Sequence, residues 1–360
     1  MGKKTIIPFG PQHPVLPEPL HLDLVVEDEV VVEAIPAIGY IHRGLEKLVE
    51  KKEYTEMAYV IERICGICSF GHGWGYCAAV EGLMGIEAPK RGEYLRTIWH
   101  ELSRIHSHLL WLGLLADSFG FESLFMHCWR VRETILDIFE KTTGGRVIFS
   151  VCKVGGVRKD VDNETLKEIA STLNGLKPEI KALTDVFIAD NSVKNRTLGV
   201  GYLSKDDAWS LGAVGPVARA SGVAMDMRLT GKGIYDELAF EPLLETGGDC
   251  YARTVVRIRE IFQCIDLIDE AVSKIPDGEI SVAVKGNLPE GEFVFRMEQP
   301  RGETFYYAKA KGGKFLERMR VRTPTNQNIP ALVKMLQGCD LADVPVLVLT
   351  IDPCISCTER

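Results

Sequence analysis

The chain has 360 residues, of which 46% are hydrophobic and 26% charged, and its formal net charge at pH 7 is −8. This length and apolar content can form a sizeable core in one large domain or two modest ones. The acidic balance, without a block of clustered Lys and Arg, argues against a nucleic-acid surface. We therefore expect no nucleic-acid partner.

The start of the chain gives no sign of export. The segment MGKKTIIPFGPQHP lacks the apolar core of a signal peptide, and no run of about 18 apolar residues, enough to span a bilayer, occurs. We expect a cytoplasmic protein whose membrane connections come through other subunits. In a reducing compartment the ten cysteines are expected to be core residues or metal ligands, not disulfides.

Hydrophobic periodicity predicts the first elements. Residues 20–34 alternate apolar and polar side chains on both sides of an acidic break, which predicts a two-stranded hairpin. From Arg43 onward the period becomes helical, and the apolar steps of three and four residues over 95–112 predict a long amphipathic helix. Further helices are predicted over residues 163–188 and 253–275.

The C-terminal part returns to strand patterns. Residues 278–323 alternate between Gly turns and predict strands, whereas residues 328–336 predict a helix. The apolar run VPVLVLTI, residues 344–351, predicts a buried strand that ends at Asp352.

Together these patterns predict an α+β fold in which a central helical bundle is flanked by small β elements from both ends of the chain. We expect a single domain over residues 1–360. It would comprise an N-terminal β-hairpin region (1–42), a mainly helical part (43–275) and a mixed β/α part (276–360) that contains the C-terminal metal motif.

Four of the cysteines form two CxxC pairs. Cys65 and Cys68 lie in CGIC, Cys354 and Cys357 lie in CISC, and the remaining six are scattered singly and expected in the core. Thiolates are soft ligands that suit zinc, nickel or iron. The first pair is predicted to end a helix and the second a strand, so a shared site requires the fold to bring both ends of the chain together.

A structural zinc site is the simplest interpretation of two CxxC pairs. Zinc modules, however, hold their ligands within one short unit, whereas these pairs are nearly a whole chain apart. A chain with a core of this size needs no metal to stabilise it. A binding or structural module organised by zinc nevertheless stays an alternative.

Longer motifs resemble two related families. The stretches ERICGICSFGH and DPCISC resemble the metal-binding motifs of the nickel–iron hydrogenase large subunit, and RGLE and PRGE match two further stretches in the same order. Other stretches resemble the quinone-site subunit of respiratory complex I, namely GPQHP (10–14), GYIHRGLEK (39–47), SHLLWLG (107–113) and GPVARASG (215–222). Hydrogenases with both sets belong to the membrane-bound, energy-converting group, and the Ech-type large subunit is the most similar.

The resemblance implies the large-subunit fold of nickel–iron hydrogenases and a nickel–iron centre. Cys65 and Cys354 would bind nickel terminally, while Cys68 and Cys357 would bridge nickel to iron. The iron of the family also carries cyanide and carbon monoxide. The reaction implied is the reversible heterolytic cleavage of dihydrogen.

The same resemblance assigns roles to neighbouring residues. Glu46 matches a glutamate that relays protons from the terminal thiolate of Cys354; without the resemblance it would be a solvated helix residue. Arg301, beside Pro300, matches an arginine over the open metal position, where it polarises dihydrogen or binds cyanide. Without the resemblance it would be a surface turn arginine.

Four further residues match positions around this site. Asp352 and Asp117 match acidic residues that steady the arginine. His72 resembles a histidine that hydrogen-bonds a bridging sulfur. Thr325 lies where the family has a hydroxyl donor to cyanide. Each could otherwise be an ordinary turn or core residue.

The electron path implies partners. The other cysteines lack cluster-binding spacing, so electrons must leave through another protein, which the resemblance identifies as a small [4Fe–4S] subunit. The resemblance further implies more iron–sulfur subunits, integral membrane ion-translocating subunits at the cytoplasmic side of the membrane, and ferredoxin. The loop with His13 matches the quinone headgroup loop of complex I and is expected to face the membrane subunits.

Two points stay open in the sequence. Many relatives end in a histidine that binds magnesium, whereas the matching residue here is Arg360, so a magnesium site does not follow from the resemblance. A complex I-like electron-transfer scaffold without nickel is the second alternative. The four cysteines argue against it, since that branch has lost them.

Overall fold

The computed structural model describes residues 4–360. Its first element is an antiparallel sheet in the order β1-β2-β3, formed by β1 (Thr5–Phe9), β2 (His21–Glu27) and β3 (Val30–Ala37). The hairpin predicted from residues 20–34 is confirmed, and β1 adds a third strand. Strand β2 alternates buried and partly buried side chains, so one face of the sheet lies on the core.

Helices form most of the middle of the chain, as predicted. In chain order, with two short strands, they are α1 (Leu45–Val49), α2 (Met57–Glu62), α3 (Ser69–Met84), α4 (Lys90–Ser118), α5 (Glu122–Thr143), β4 (Cys152–Lys153), β5 (Gly156–Val157), α6 (Asn163–Ala189), α7 (Asn191–Thr197), α8 (Lys205–Ser210), α9 (Pro216–Arg219) and α10 (Cys250–Lys274). The predicted long helix is α4, which packs against α5 and α10 and is buried over most of its length. The helices predicted over 163–188 and 253–275 are α6 and α10. Among residues 4–360, no helix is both long and apolar enough to cross a membrane.

The C-terminal part contains a second three-stranded antiparallel sheet and three α-helices. Its strands, in the order β6-β7-β8, are β6 (Leu288–Gln299), β7 (Gly302–Gly313) and β8 (Leu316–Arg322). The helices are α11 (Pro324–Leu336), α12 (Val344–Thr350) and α13 (Ile355–Thr358). The α+β fold class, a helical bundle flanked by β elements from both chain ends, is thus confirmed.

The predicted buried strand over residues 344–351 is wrong, because this segment is helix α12. A short apolar run that is buried on all sides has no period to distinguish strand from helix. Pro345 lies in the first turn of α12, where its missing N–H costs nothing. The first CxxC pair also does not end a helix: it follows α2 and leads into α3.

A network of buried charges joins the central helices to the end of β6. Arg104 of α4 donates to the backbone oxygens of Gln299 (3.1 Å) and Glu298 (2.8 Å). Arg219 in α9 donates to Glu298 Oε1 and to Glu260 Oε1 of α10, both at 2.7 Å. Removing one partner of a buried pair costs about 3–5 kcal/mol. These contacts therefore fix the position of the turn that follows Gln299.

Burial also makes the fold sensitive to acid. His106 Nδ1 accepts a hydrogen bond from Arg132 Nε at 2.9 Å. The pKa of His106 falls from 6.5 to about 3, mainly because the ring is buried and also because the positive charge of Arg132 lies beside it. Between these values the unfolded chain binds a proton that the folded chain does not, so stability is complete above pH 6.5 and falls as the pH falls.

We predict that His106→Gln, whose amide oxygen can still accept from Arg132, flattens this pH dependence. The slope of the unfolding free energy between pH 6 and pH 4 would decrease by up to about 1.4 kcal/mol per pH unit. Urea unfolding of wild type and variant at several pH values measures this slope. Parallel curves would contradict the account.

Candidate metal centre

The two cysteine pairs meet in the interior. Cys68 precedes the first residue of α3, and Cys354 precedes the first residue of α13. The four cysteine sulfurs all lie within 4.8 Å of one another, and all four residues are buried. Cys68 Sγ is 3.2 Å from Cys357 Sγ, and Cys354 Sγ is 3.2 Å from Cys65 Sγ. The fold therefore brings together ligands from opposite ends of the chain.

The four thiols do not ionise alike. Hydrogen bonds from Cys354 and the other two thiols hold the pKa of Cys65 well below its ordinary value. The hydrogen bond with Cys354 raises the pKa of Cys68, and burial raises that of Cys357. One thiolate is thus favoured by the protein alone. A bound cation is needed to keep all four deprotonated, as thiolate ligands must be.

Arg43 joins the two motifs. Its guanidinium donates to the backbone oxygens of Arg63 (2.8 Å) and Ile64 (2.6 Å), just before the first pair. It also donates to the backbone oxygen of Ser356 between the second pair, at 3.0 Å. The arginine of RGLE thereby holds the CGIC and CISC segments together, a role that the sequence did not predict.

Arg301 lies buried beside the cluster in the turn between β6 and β7. Its Nε donates to Asp352 O at 2.9 Å, its Nη2 to Asp352 Oδ1 at 2.7 Å, and its Nη1 to Ser107 Oγ at 3.2 Å. Burial by itself lowers the pKa of Arg301, but Asp352 and the cysteine sulfurs outweigh it, so the guanidinium stays charged. Asp352 thus lies against this arginine, and Pro300 is buried next to it.

Two glycines allow the Arg301 turn to approach its neighbour. Gly302 has a φ of 131° and Gly215 a φ of 66°, conformations that residues with a Cβ rarely adopt. A Cβ on Gly215 would lie 2.3 Å from Arg301 O. The backbone of GPVARASG therefore supports the turn directly.

His72 and Thr325 contact the cysteines. His72 Nε2 lies 3.3 Å from Cys357 Sγ, and its Nδ1 lies 3.0 Å from the hydroxyl of Tyr306. Burial lowers the pKa of His72 to about 4, so the ring is neutral, and Nε2–H donates to sulfur when Nδ1 accepts from Tyr306. The Thr325 hydroxyl accepts from the backbone N–H of Cys354 at 3.0 Å. Tyr306 was not predicted from the sequence.

Glu46 does not contact a cysteine. Its Oε1 accepts from Val321 N (2.8 Å) and Arg360 Nε (2.9 Å), and its Oε2 lies 3.2 Å from Arg320 Nη1. The carboxylate is neither the solvated helix residue of the alternative interpretation nor in contact with the thiol of Cys354. The resemblance assigns Glu46 to carry a proton onward from the Cys354 thiolate. Its oxygens are bound by two arginines and a backbone amide, and no direct contact with that thiolate is present among the described residues.

The structure does not bring Asp117 to Arg301. It is exposed near the end of α4, whereas the contact of α4 with Arg301 is made by Ser107. Ten residues of helix separate the two positions, which is about 15 Å along the axis. Within residues 4–360, Asp117 makes no hydrogen bond or ion pair with Arg301, and Ser107 Oγ takes that place.

Glu18 is the acidic residue that the sequence prediction missed. Its Oε2 accepts from the backbone N–H groups of Ile355 and, at 3.0 Å, Ser356 in the CISC motif. Burial raises the pKa of Glu18, and the negative charge of Cys65 raises it further. Glu18 follows a Pro-rich stretch between β1 and β2. The sequence could not indicate its contact with the CISC motif, because the two segments are far apart along the chain.

A cavity adjoins the cluster beside Glu18. It has a volume of about 220 Å³ and is lined by Glu18, Arg301 and Asp352, together with apolar residues such as Ile67 and Trp111. Three charged groups thus face an otherwise largely apolar space. The space is large enough for a small apolar molecule, and two of its lining residues, Ile67 and Pro353, are chain neighbours of Cys68 and Cys354.

The loop that carries Glu18 also carries His13. The His13 ring packs on Phe9 with ring centroids 4.3 Å apart, and its Nδ1 accepts from Val15 N at 3.3 Å. His13 is partly exposed. The loop between β1 and β2 therefore extends from the protein surface to the cysteine cluster.

Family comparisons agree with this architecture. Residues 43–116 match the nickel-dependent hydrogenase family, and residues 118–287 and 281–360 match the family of the 49 kDa subunit of respiratory-chain NADH dehydrogenase. The chain belongs to the family that unites these two kinds of subunit. The predicted relationship is confirmed.

Relatives of both kinds match nearly the whole chain. Membrane-bound hydrogenase subunit alpha of Pyrococcus furiosus is 38% identical over 98% of this chain and 87% of its own length. The carbon monoxide-induced hydrogenase of Rhodospirillum rubrum is 38% identical over 98% of this chain and 99% of its own. A component of the F(420)H(2) dehydrogenase of Methanosarcina mazei is 36% identical over 100% of this chain and 98% of its own.

These relatives support a hydrogenase-like oxidoreductase that works within a membrane-associated complex. They do not decide between the hydrogenase branch and the complex I branch, since NADH-quinone oxidoreductase subunits match nearly the whole chain as well. The cysteine cluster is the feature of this chain that bears on that choice.

Proposed function

We propose that the chain is the catalytic subunit of an energy-converting nickel–iron hydrogenase of the Ech type. The observation that carries the proposal is the set of four buried cysteine sulfurs beside Arg301, Glu18 and a largely apolar cavity. The relatives named as hydrogenases support it. A closed structural zinc site has no use for a buried arginine and an adjoining cavity.

The donor set fits the nickel–iron centre implied by the family. Four soft sulfur ligands suit nickel and iron, and Cys65, Cys68, Cys354 and Cys357 would hold the two metals. When bound, the centre, whose iron carries cyanide and carbon monoxide, supplies the heterolytic cleavage of dihydrogen. The fit for magnesium is poor, because the guanidinium of Arg360 occupies the matching position.

The surrounding residues orient and hold the site. Arg301 keeps a fixed positive charge beside the sulfurs because Asp352 binds it through two atoms and Ser107 through a third. Its bidentate geometry limits rotation of the guanidinium. His72 donates to Cys357, and Thr325 fixes the backbone of Cys354, so both ligands from the second motif are held by hydrogen bonds.

Glu18 is the proposed acceptor of the proton that leaves the Cys354 sulfur. Cys354 Sγ lies 3.3 Å from Ser356 Oγ, and the backbone N–H of Ser356 donates to Glu18. A proton on the Cys354 sulfur therefore has the Ser356 hydroxyl nearby, and the Glu18 carboxylate is bound to the backbone of that same serine. The β1–β2 loop leads from there to the surface.

Matched variants distinguish the two carboxylates. We predict that Glu18→Gln lowers dihydrogen turnover and dihydrogen–deuterium exchange at least about 100-fold, the scale of a lost acid–base group, with the metal content unchanged. Glu46→Gln is the control, because a glutamine oxygen can still accept from Arg360 and Val321 N, and its exchange rate would stay within a few-fold of wild type. Isotope exchange followed by mass spectrometry measures both. Loss of exchange in Glu46→Gln alone would restore the first assignment.

The partners follow from the same proposal. Electrons would leave through a small [4Fe–4S] subunit and further iron–sulfur subunits to ferredoxin, and integral membrane subunits would translocate ions at the cytoplasmic side of the membrane. The relatives named as membrane-bound or quinone-linked subunits support a multi-subunit setting. The β1–β2 loop is the proposed link, because His13 and Glu18 lie in it.

The link is tested with His13→Ala in the intact complex. We predict that ion translocation falls severalfold relative to dihydrogen turnover, because the variant changes the outer part of the loop and leaves Glu18 in place. Ion uptake into vesicles, measured alongside turnover, gives this ratio. An unchanged ratio and unchanged turnover would eliminate the proposal for His13.

A further inference from the structure

The residues after α13 are bound to the segment before α1. Glu359 Oε1 and Oε2 accept from the backbone N–H groups of Gly39 and Ile41, each at 2.5 Å. The backbone oxygen of Glu359 lies 2.6 Å from His42 Nδ1. Because Cys357 lies just upstream, these contacts position the second cysteine motif relative to the first.

Arg360 completes this attachment with a positive charge. Its Nε donates to Glu46 Oε1 at 2.9 Å, and its Nη1 donates to Thr358 O at 2.8 Å. The side chains of Arg360 and Glu46 are only 15% and 12% exposed. Arg320 supplies a second cation on the other oxygen of Glu46. The pair is therefore shielded from solvent more than a surface ion pair is.

The arrangement leaves no need for a divalent cation. A carboxylate oxygen and a backbone carbonyl oxygen are groups that magnesium binds in proteins. Here nitrogen atoms of Arg360 contact both, and a cation placed between them would face two guanidinium groups. The residues thus do not fit the magnesium that relatives with a C-terminal histidine bind.

We propose that Arg360 acts as a built-in cation that replaces a divalent metal in fastening the C-terminal cysteine motif. Without the Arg360 side chain, the carboxylate of Glu46 faces only Arg320 and a backbone amide. The end of the described chain then loses its side-chain link to α1 and the hydrogen bond to Thr358 O. The proposal concerns the order of this segment and does not rest on the reaction at the cysteines.

Hydrogen–deuterium exchange of the purified complex tests it. Peptides covering residues 350–360 would exchange at the same rate in EDTA and in millimolar magnesium for the wild type, and metal analysis would find no stoichiometric magnesium. Arg360→Ala would raise exchange in these peptides at least about fivefold in both buffers. Arg360→Lys, which keeps the charge, would recover part of the protection.

Arg146→Ala is the matched control. Arg146 also forms ion pairs, with Glu133, Asp137 and Glu140, but on the exposed side of α5. Loss of the Arg146 side chain is expected to leave the exchange rate of the peptides covering residues 350–360 unchanged. Unchanged exchange in peptides from α4 would show that each variant is folded.

Two results would overturn the proposal. The first is a wild-type complex that holds one magnesium per chain and loses protection of residues 350–360 in EDTA. The second is Arg360→Ala with wild-type exchange in that segment. Since exchange is read without turnover, either result leaves the proposed hydrogenase activity to be judged separately.

Discussion

The approach of four sulfurs from opposite ends of the chain is the constraint on which the rest of the site depends. Cys68 and Cys357 are 289 positions apart in sequence and 3.2 Å apart in space. Bringing together four groups that must become thiolates is electrostatically costly, and bound cations offset that cost. Arg301 lies beside the sulfurs and Arg43 bridges the two motifs. The helical bundle and the two three-stranded sheets hold these groups in place.

The support for the centre comes from buried polar contacts as well as apolar packing. Arg104 and Arg219 fix the end of β6, and the turn that follows presents Arg301 to the cysteines. Such networks have little net effect on stability but strongly favour one arrangement when every member is paired. The loop with Glu18 and the segment with Glu359 and Arg360 add contacts from the two chain ends. Glu18 binds the backbone of the second motif, and Glu359 and Arg360 fasten the residues that directly follow it, so the cysteines and their surroundings form one unit.

The sequence could predict the site residues that lie within short local motifs. The cysteines, Arg301, Asp352 and His72 each lie in a local pattern, and the structure brings them together. Glu18 could not be found, because its partners lie 337 and 338 positions away and its own surroundings read as a Pro-rich loop. The contacts of Glu46 could not be predicted for the same reason, since Arg320 and Arg360 are distant in sequence. Helix α12 was missed because a short, fully buried apolar run carries no period.

The central claim is that the four cysteines hold nickel and iron. Metal analysis of the purified complex, with infrared spectroscopy where metal-bound carbon monoxide and cyanide absorb, tests it most directly. We predict nickel and iron together with these bands, and their loss in Cys357→Ser but not in Cys339→Ser, whose sulfur lies outside the cluster. Zinc without the bands would contradict the account and would make the DPCISC motif part of a structural metal site.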